Sequence, residues 1–186
     1  MALPKIYLKP GKEVPVLRFH PWVFSGAIQR QEGHLNDGDL VEVYSRREQL
    51  LGVGHFHLGS IAVRLLSFGP SDPSSLDFWK QKLKAACQVR KAAGLLDQTG
   101  TDCFRLIHGE GDDLSGLIID IYGKAAVLQC HSIGMHRQRD LIAEALKAVL
   151  PDRIQVIFDK SKEALPGKYA TAIENAYLLH TASESA

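Results

Sequence analysis

Phe104-Arg-Leu-Ile-His-Gly-Glu-Gly-Asp-Asp-Leu-Ser-Gly-Leu-Ile-Ile-Asp-Ile-Tyr-Gly123 sets one histidine and four carboxylates (Glu110, Asp112, Asp113 and Asp120) among four glycines. Such a cluster could ligate a divalent ion or supply general acid–base chemistry. The chain carries no HExxH pair, no EF-hand spacing and no second His/Asp group at a matching interval. A phosphate loop is the second option, since Gly109-Glu-Gly111 and Gly52-Val-Gly54 both read GxG. That loop must leave a strand and open a helix, so that the helix N-terminus faces the ligand. Here Gly116 runs into Leu-Ile-Ile-Asp-Ile-Tyr, a strand, and the acids of the turn repel phosphate. The reading left is a long turn between strands Phe104–His108 and Leu117–Tyr122, shaped by Gly109, Gly111 and Gly116, with the acids solvating its tip.

The neighbouring residues extend this pattern into a small domain. Gly123-Lys124 predicts a tight hairpin into a strand over Ala125–His131. A helix is expected over Gly134–Leu150, with Leu141, Ile142, Ala145, Leu146 and Val149 on one side and Pro151 as its stop. Arg153–Phe158 reads as a fourth strand, and Ala176–His180 carries a weaker strand signal. Upstream, Leu76, Trp79, Leu83, Ala86, Cys87 and Arg90 share one helical face, with Ser74 as the expected cap and Asp77 in the first turn. Lys80, Lys82, Lys84 and Lys91 fall on the solvated side.

Gly69-Pro-Ser-Asp-Pro-Ser-Ser75 is the clearest boundary, because two prolines and a glycine cannot sit inside a helix or a central strand. Before it, five strands are expected: Lys5–Lys9, Trp22–Arg30, Asp39–Ser45, Gln49–His57 and Ser60–Phe68. Their tight links and lack of a long helix predict a small β-barrel or sandwich, with Gly52, Gly54 and Gly59 at bulges or corners. The fold class is α+β. Residues 1–69 are expected to form the barrel, 70–75 a linker, 76–180 a connecting helix with an α/β domain, and 181–186 a tail.

Charge is unevenly placed. Residues 1–30 carry Lys5, Lys9, Lys12, Arg18 and Arg30 against Glu13, whereas residues 100–120 carry five acids against Arg105. In the basic segment Lys9, Lys12, Arg18 and Arg30 interleave with His20 and Trp22, the pattern of cations for phosphates and rings for unpaired bases. Core packing is the more common fate of residues such as Trp22 and Phe24. Three widely spaced cysteines, Cys87, Cys103 and Cys130, suit neither a disulfide framework nor a zinc knuckle, and read as free, buried thiols of a reducing cytosol. No motif orients a Cys–His pair, and Ser25-Gly26 is not a nucleophile elbow, so no catalytic residue is assigned. No apolar run approaches the roughly 20 residues that span a bilayer, and residues 1–12 lack a signal-type apolar core, so no membrane partner is expected.

Lys9-Pro-Gly-Lys12, His20-Pro-Trp-Val-Phe-Ser-Gly-Ala-Ile28, Leu51-Gly-Val-Gly-His55, Ile61-Ala-Val-Arg64 and the opening Phe104–Asp120 stretch resemble the PUA-containing, S-adenosylmethionine-dependent large-subunit rRNA cytosine-C5 methyltransferases. The resemblance covers nearly the whole chain. It departs at Asp113-Leu-Ser-Gly116, where family members read Asp-Gly-Leu-Pro-Gly. It implies a PUA barrel over 1–69 that binds structured RNA, chiefly large-subunit rRNA, adding Arg64 to Lys9, Lys12, Arg18, His20, Trp22 and Arg30. It implies a strand–strand–helix–strand–strand spacer over 76–180, a cytoplasmic location and a homodimer. The family's C-terminal Rossmann-like domain, which binds S-adenosylmethionine and carries the catalytic cysteine, has no counterpart before Ala186, and none of the three cysteines matches it. The expectation is therefore a non-catalytic part with no cofactor, no metal and no methylating activity of its own. The alternative is a free-standing RNA-binding or ribosome-associated module, and a metal enzyme built on the Gly109–Asp113 turn is the outsider.

Overall fold

The computed structural model describes residues 3–96 and 100–180, so the expected tail at 181–186 lies outside it. The first half is a curled six-stranded sheet of β1 (Lys5–Leu8), β2 (Trp22–Phe24), β3 (Ile28–Glu32), β4 (Leu40–Tyr44), β5 (Leu50–Phe56) and β6 (Ile61–Phe68). Its order is β2-β6-β5-β4-β1-β3, antiparallel throughout except for the parallel β1–β4 pair. In β4 the alternation puts Val41 and Val43 inside and Glu42 and Tyr44 on the outer face. Ile6, Leu8, Val16, Val23, Val63 and Leu65 complete the core of the curl.

The strand expected over Trp22–Arg30 is instead two strands. A 3-10 turn at Ser25–Ala27 divides them and sends β2 and β3 to opposite ends of the sheet. The sequence reading also lacks α1 (Val14–Leu17), a single helical turn with Pro15 near its start, too short to show a helical period. Bulges fall at Val53/Gly54 and Val43/Tyr44, and a Cβ on Gly54 would collide with the Arg64 carbonyl, so the curl needs glycine there.

The second half stacks α2 (Leu76–Ala92), α3 (Ile133–Arg137), α4 (Arg139–Val149) and a short α5 (Gly167–Ala170) with a five-stranded sheet. That sheet runs β11-β10-β9-β8-β7, from β7 (Cys103–His108), β8 (Leu117–Tyr122) and β9 (Ala125–Cys130) to β10 (Val156–Asp159) and β11 (Ala176–His180). The β8–β9 register, with Tyr122 opposite Ala125, leaves Gly123-Lys124 as the two-residue hairpin. Trp79, Leu83, Leu106, Ile119, Leu128 and Leu146 lie in its core without solvent exposure.

Three expectations change here. The cap of α2 is Ser75, whose Oγ accepts from Phe78 N–H, because Ser74 turns its hydroxyl to Asp72. The helix expected over Gly134–Leu150 is α3 and α4, parted at Gln138. Cys103 is exposed at the start of an edge strand, while Cys130 is buried and Cys87 half-buried.

The two halves share a contact surface. Leu66 of β6 is part of the second core, and Leu40 packs against it. Arg137 pairs with Asp39 across the join (3.0 Å). Residues Leu51 to Phe56 of β5 are buried throughout, since α3 covers what the barrel core does not. Gly134 makes this approach feasible, because any Cβ there would run into the ring of His55.

Candidate nucleic-acid interface

The edge of the barrel formed by α1 and β2 leaves apolar side chains in solvent. Val14, Leu17, Phe19 and Phe24 are all exposed, Phe19 at 71%. Isolated exposed hydrophobics are ordinary, but four within eleven residues form a patch. His20, Trp22 and Phe24 form a ring triangle with centroids 5.9 to 6.4 Å apart. Trp22 N–H donates to His20 Nδ1 (3.2 Å), which fixes the imidazole beside the indole. These rings, with Lys12, Pro15 and Val16, line a groove of about 450 Å³.

The predicted cations divide. Lys12 and Arg18 are exposed, and their side chains have no hydrogen bond or ion pair with any described residue. Lys9 reaches across the same edge to the Gly26 carbonyl (2.8 Å). Arg64 places its guanidinium 5.7 Å from the centre of the Trp22 ring, on β6 beside β2. Arg30 stands apart on β3, packed over Tyr7 at 3.5 Å and ion-paired to Glu32 and Glu48. The basic segment itself offers only Glu13, and the fold supplies Arg30 with two acids from beyond residue 30. Trp22 is neither wholly core nor free: most of its surface is covered, and its Nε1–H donates to Glu110 (3.0 Å) and Ser115 (3.1 Å) of the second half. Phe19, Phe24 and Leu17 were not singled out from sequence as binding residues. The signal for them was available as a dense apolar run beside unpaired cations.

The acidic turn behaves differently. Its carboxylates do not simply solvate a loop tip. Asp112 makes a two-pronged ion pair with Arg90 of α2 (2.5 and 2.6 Å) and accepts the His108 N–H (2.6 Å). Asp120 takes Arg105 (2.7 Å), and Glu110 accepts from Ser115 and Trp22. Burial favours a neutral Glu110, but its bonds from Ser115 and Trp22 keep it below the usual carboxylate range. Only Asp113, in left-handed backbone at φ 55°, stays in solvent without a bonded partner. Among the described residues no group of three or more His, Cys, Asp or Glu side chains is placed to hold a metal ion. No described thiol is activated: burial pushes Cys130 up to about 12, burial raises Cys87, and the bond to Asp102 raises Cys103.

Between the halves, Asp37 collects Lys168 (2.5 Å), the Tyr169 hydroxyl (2.5 Å) and His57 (3.3 Å). Burial by itself raises the Asp37 carboxyl, and the bonds from Lys168, Tyr169 and Leu58 N–H outweigh it, bringing it to about 2. Burial pushes His55 down to about 3 and His57 to about 4, so both imidazoles are neutral at pH 7. No described helix is long and apolar enough to cross a membrane.

Comparison with known proteins bears on both halves. Residues 6–68 match the PUA-like domain family. The chain is 36% identical over 171 residues to the ribosomal RNA large subunit methyltransferase I of Salmonella arizonae, covering 91% of this chain and 41% of that protein. It is 40% identical over 148 residues to the protein of the same name from Aeromonas hydrophila, covering 79% of this chain and 37% of that one. The chain thus spans about two-fifths of the length of these curated relatives. A solved structure from Streptococcus mutans, described as a SAM-dependent methyltransferase, superposes with a TM-score of 0.76 over 96% of this chain and 44% of its own, at 18% identity. That likeness shows a shared fold.

Proposed function

Because the chain belongs to the PUA-containing ribosomal RNA large-subunit methyltransferases over the part of those proteins that it spans, we propose that it is their RNA-binding and substrate-positioning part. The observation that carries this is the α1–β2 edge of the PUA-like barrel, where the unpaired side chains of Lys12 and Arg18 flank a ring cluster of exposed His20 and Phe24 with partly covered Trp22. Long side chains left charged and unpaired suit a polyanion, and exposed rings suit unpaired bases. In this reading residues 1–69 grip structured RNA, with large-subunit rRNA as the substrate class, and residues 76–180 set the barrel at a fixed distance from the reacting base. Methyl transfer, with the S-adenosylmethionine it consumes, is assigned to the length of the relatives outside the match.

The test is retention of labelled rRNA fragments by the purified chain across a salt series. Binding should weaken steeply with salt, because displaced counterions dominate such affinities. Lys12→Glu with Arg18→Glu should cut retention and flatten the salt slope by about 2. Equal retention by wild type and double variant would overturn the assignment of this edge. Methyl transfer by the purified chain would overturn its non-catalytic role.

A further inference from the structure

Arg64 differs from Lys9, Lys12, Arg18 and Arg30, the other cations of the candidate interface. It is half-buried where β6 meets the second sheet, yet its guanidinium makes no hydrogen bond or ion pair with a described residue. Glu110, the carboxylate whose charge acts on Arg64, is already occupied by Trp22 Nε1–H and Ser115 Oγ–H. Five N–H donors therefore face open space from a partly desolvated position, and an anion there gains charge-assisted, forked hydrogen bonds.

The open space has walls. On one side of Arg64 lies a hollow of about 220 Å³, bounded by His57, Ser60, Ile61 and His131, and by Asp37 with the Lys168 and Tyr169 that bond its carboxylate. On the other lies one of about 310 Å³, bounded by Trp22, Ile61, His131, the backbone of Gly109 and Gly116, and Glu110, whose carboxylate is held by Trp22 and Ser115. Ile61, Arg64 and His131 belong to both, so the two hollows form one trough with the guanidinium at its waist. Trp22 is also a wall of the α1–β2 groove, which makes trough and groove neighbours across one indole.

We infer that this trough takes one unpaired nucleotide of the RNA, its phosphate on Arg64 and His131 and its base in the hollow beside them. The inference rests on the RNA-binding reading above and gives it a second contact site, on the inner side of Trp22. Size favours a single nucleotide, because hollows of 220 and 310 Å³ are far too narrow for a duplex. Splayed-out bases are the form in which proteins commonly read RNA. The apolar groove between α4 and β11 is lined by Asp140 and Glu144, and by Lys147, whose ammonium is bound to the Pro151 and Ile154 carbonyls, so it offers a phosphate no free cation.

The experiment compares a labelled stem–loop RNA, a blunt duplex of equal length and 5′-CMP as probes of the purified chain. Arg64→Gln and, separately, His131→Glu should each weaken stem–loop binding about tenfold. The duplex should bind less well than the stem–loop, and 5′-CMP should shift the amide resonances of Ile61 and Gly116 in wild type but not in Arg64→Gln. His131 is exposed, so its variant remains informative if Arg64→Gln fails to fold. If both variants hold the stem–loop as wild type does, while Lys12→Glu with Arg18→Glu loses it, the trough is overturned and the barrel edge stands. If wild type binds neither RNA, the RNA-binding reading falls and the trough with it.

Discussion

Two charge-rich stretches look equally functional in the sequence, the basic segment 9–30 and the acidic turn 104–123. In the folded chain they are opposites. The turn engages Glu110, Asp112 and Asp120 with Trp22, Arg90 and Arg105, and what it does is hold elements together. The segment leaves Lys12, Arg18 and three aromatic rings at the surface, with only Arg30 drawn into ion pairs. Charge density alone therefore does not mark a site. Whether the charges already have partners within the fold does.

The contrast can be broken most severely at Asp112. Arg90 and Asp112 form a pair with side chains only 13% and 6% exposed, so Asp112→Ala strands a buried guanidinium and frees the His108 N–H. A loss of about 3–5 kcal/mol is expected in urea unfolding. A loss below about 1 kcal/mol would show that the turn's acids are no more structural than the segment's cations.

Acid titration gives the next effect. Burial holds His55 at about 3 and His57 at about 4 in the folded chain, against about 6.5 when unfolded. Below that upper value the unfolded chain binds more protons, so stability falls as pH falls. From pH 7 to 5 each histidine should cost roughly 2 kcal/mol. Asp37, held at about 2, has the opposite charge but the same slope, and its contribution is lost progressively as pH falls from about 4 through about 2. A stability that is level between pH 7 and 5 would mean that the join between the halves does not bury these imidazoles.

The smallest effect completes the comparison. Lys12→Ala and Arg18→Ala should each alter stability by no more than about 0.5 kcal/mol, while weakening RNA retention. Unfolding curves that move with these substitutions would place the cations among the fold's own contacts.

What sequence could show follows from the range of each interaction. The strands of both sheets, the Gly123-Lys124 hairpin and the apolar face of α2 depend on neighbours a few residues away, and periodicity and turn chemistry reveal them. The Ser25–Ala27 turn and α1 are too short to leave a period. The partners of the acids are distant: Arg90 lies 22 residues from Asp112, and Trp22 lies 88 from Glu110. A hint existed in Arg90, a cation on an otherwise apolar stripe, which requires a carboxylate from elsewhere. Of the candidate site, the cation–aromatic edge was visible in outline, but the trough was not, because β6, β9 and the loop before α5 meet only in the fold.

The two tryptophans, one in each half, also make the protein its own optical probe. Trp79 is sealed in the second core with its Nε1–H on the Pro73 carbonyl (2.9 Å), beyond the reach of a dissolved quencher. Trp22 stands between groove and trough, partly wetted, with Arg64 near its face. Emission that acrylamide can quench therefore comes from one indole, at the place where RNA is proposed to lie. Shielding of that fraction on adding a ligand reports occupancy there without any label.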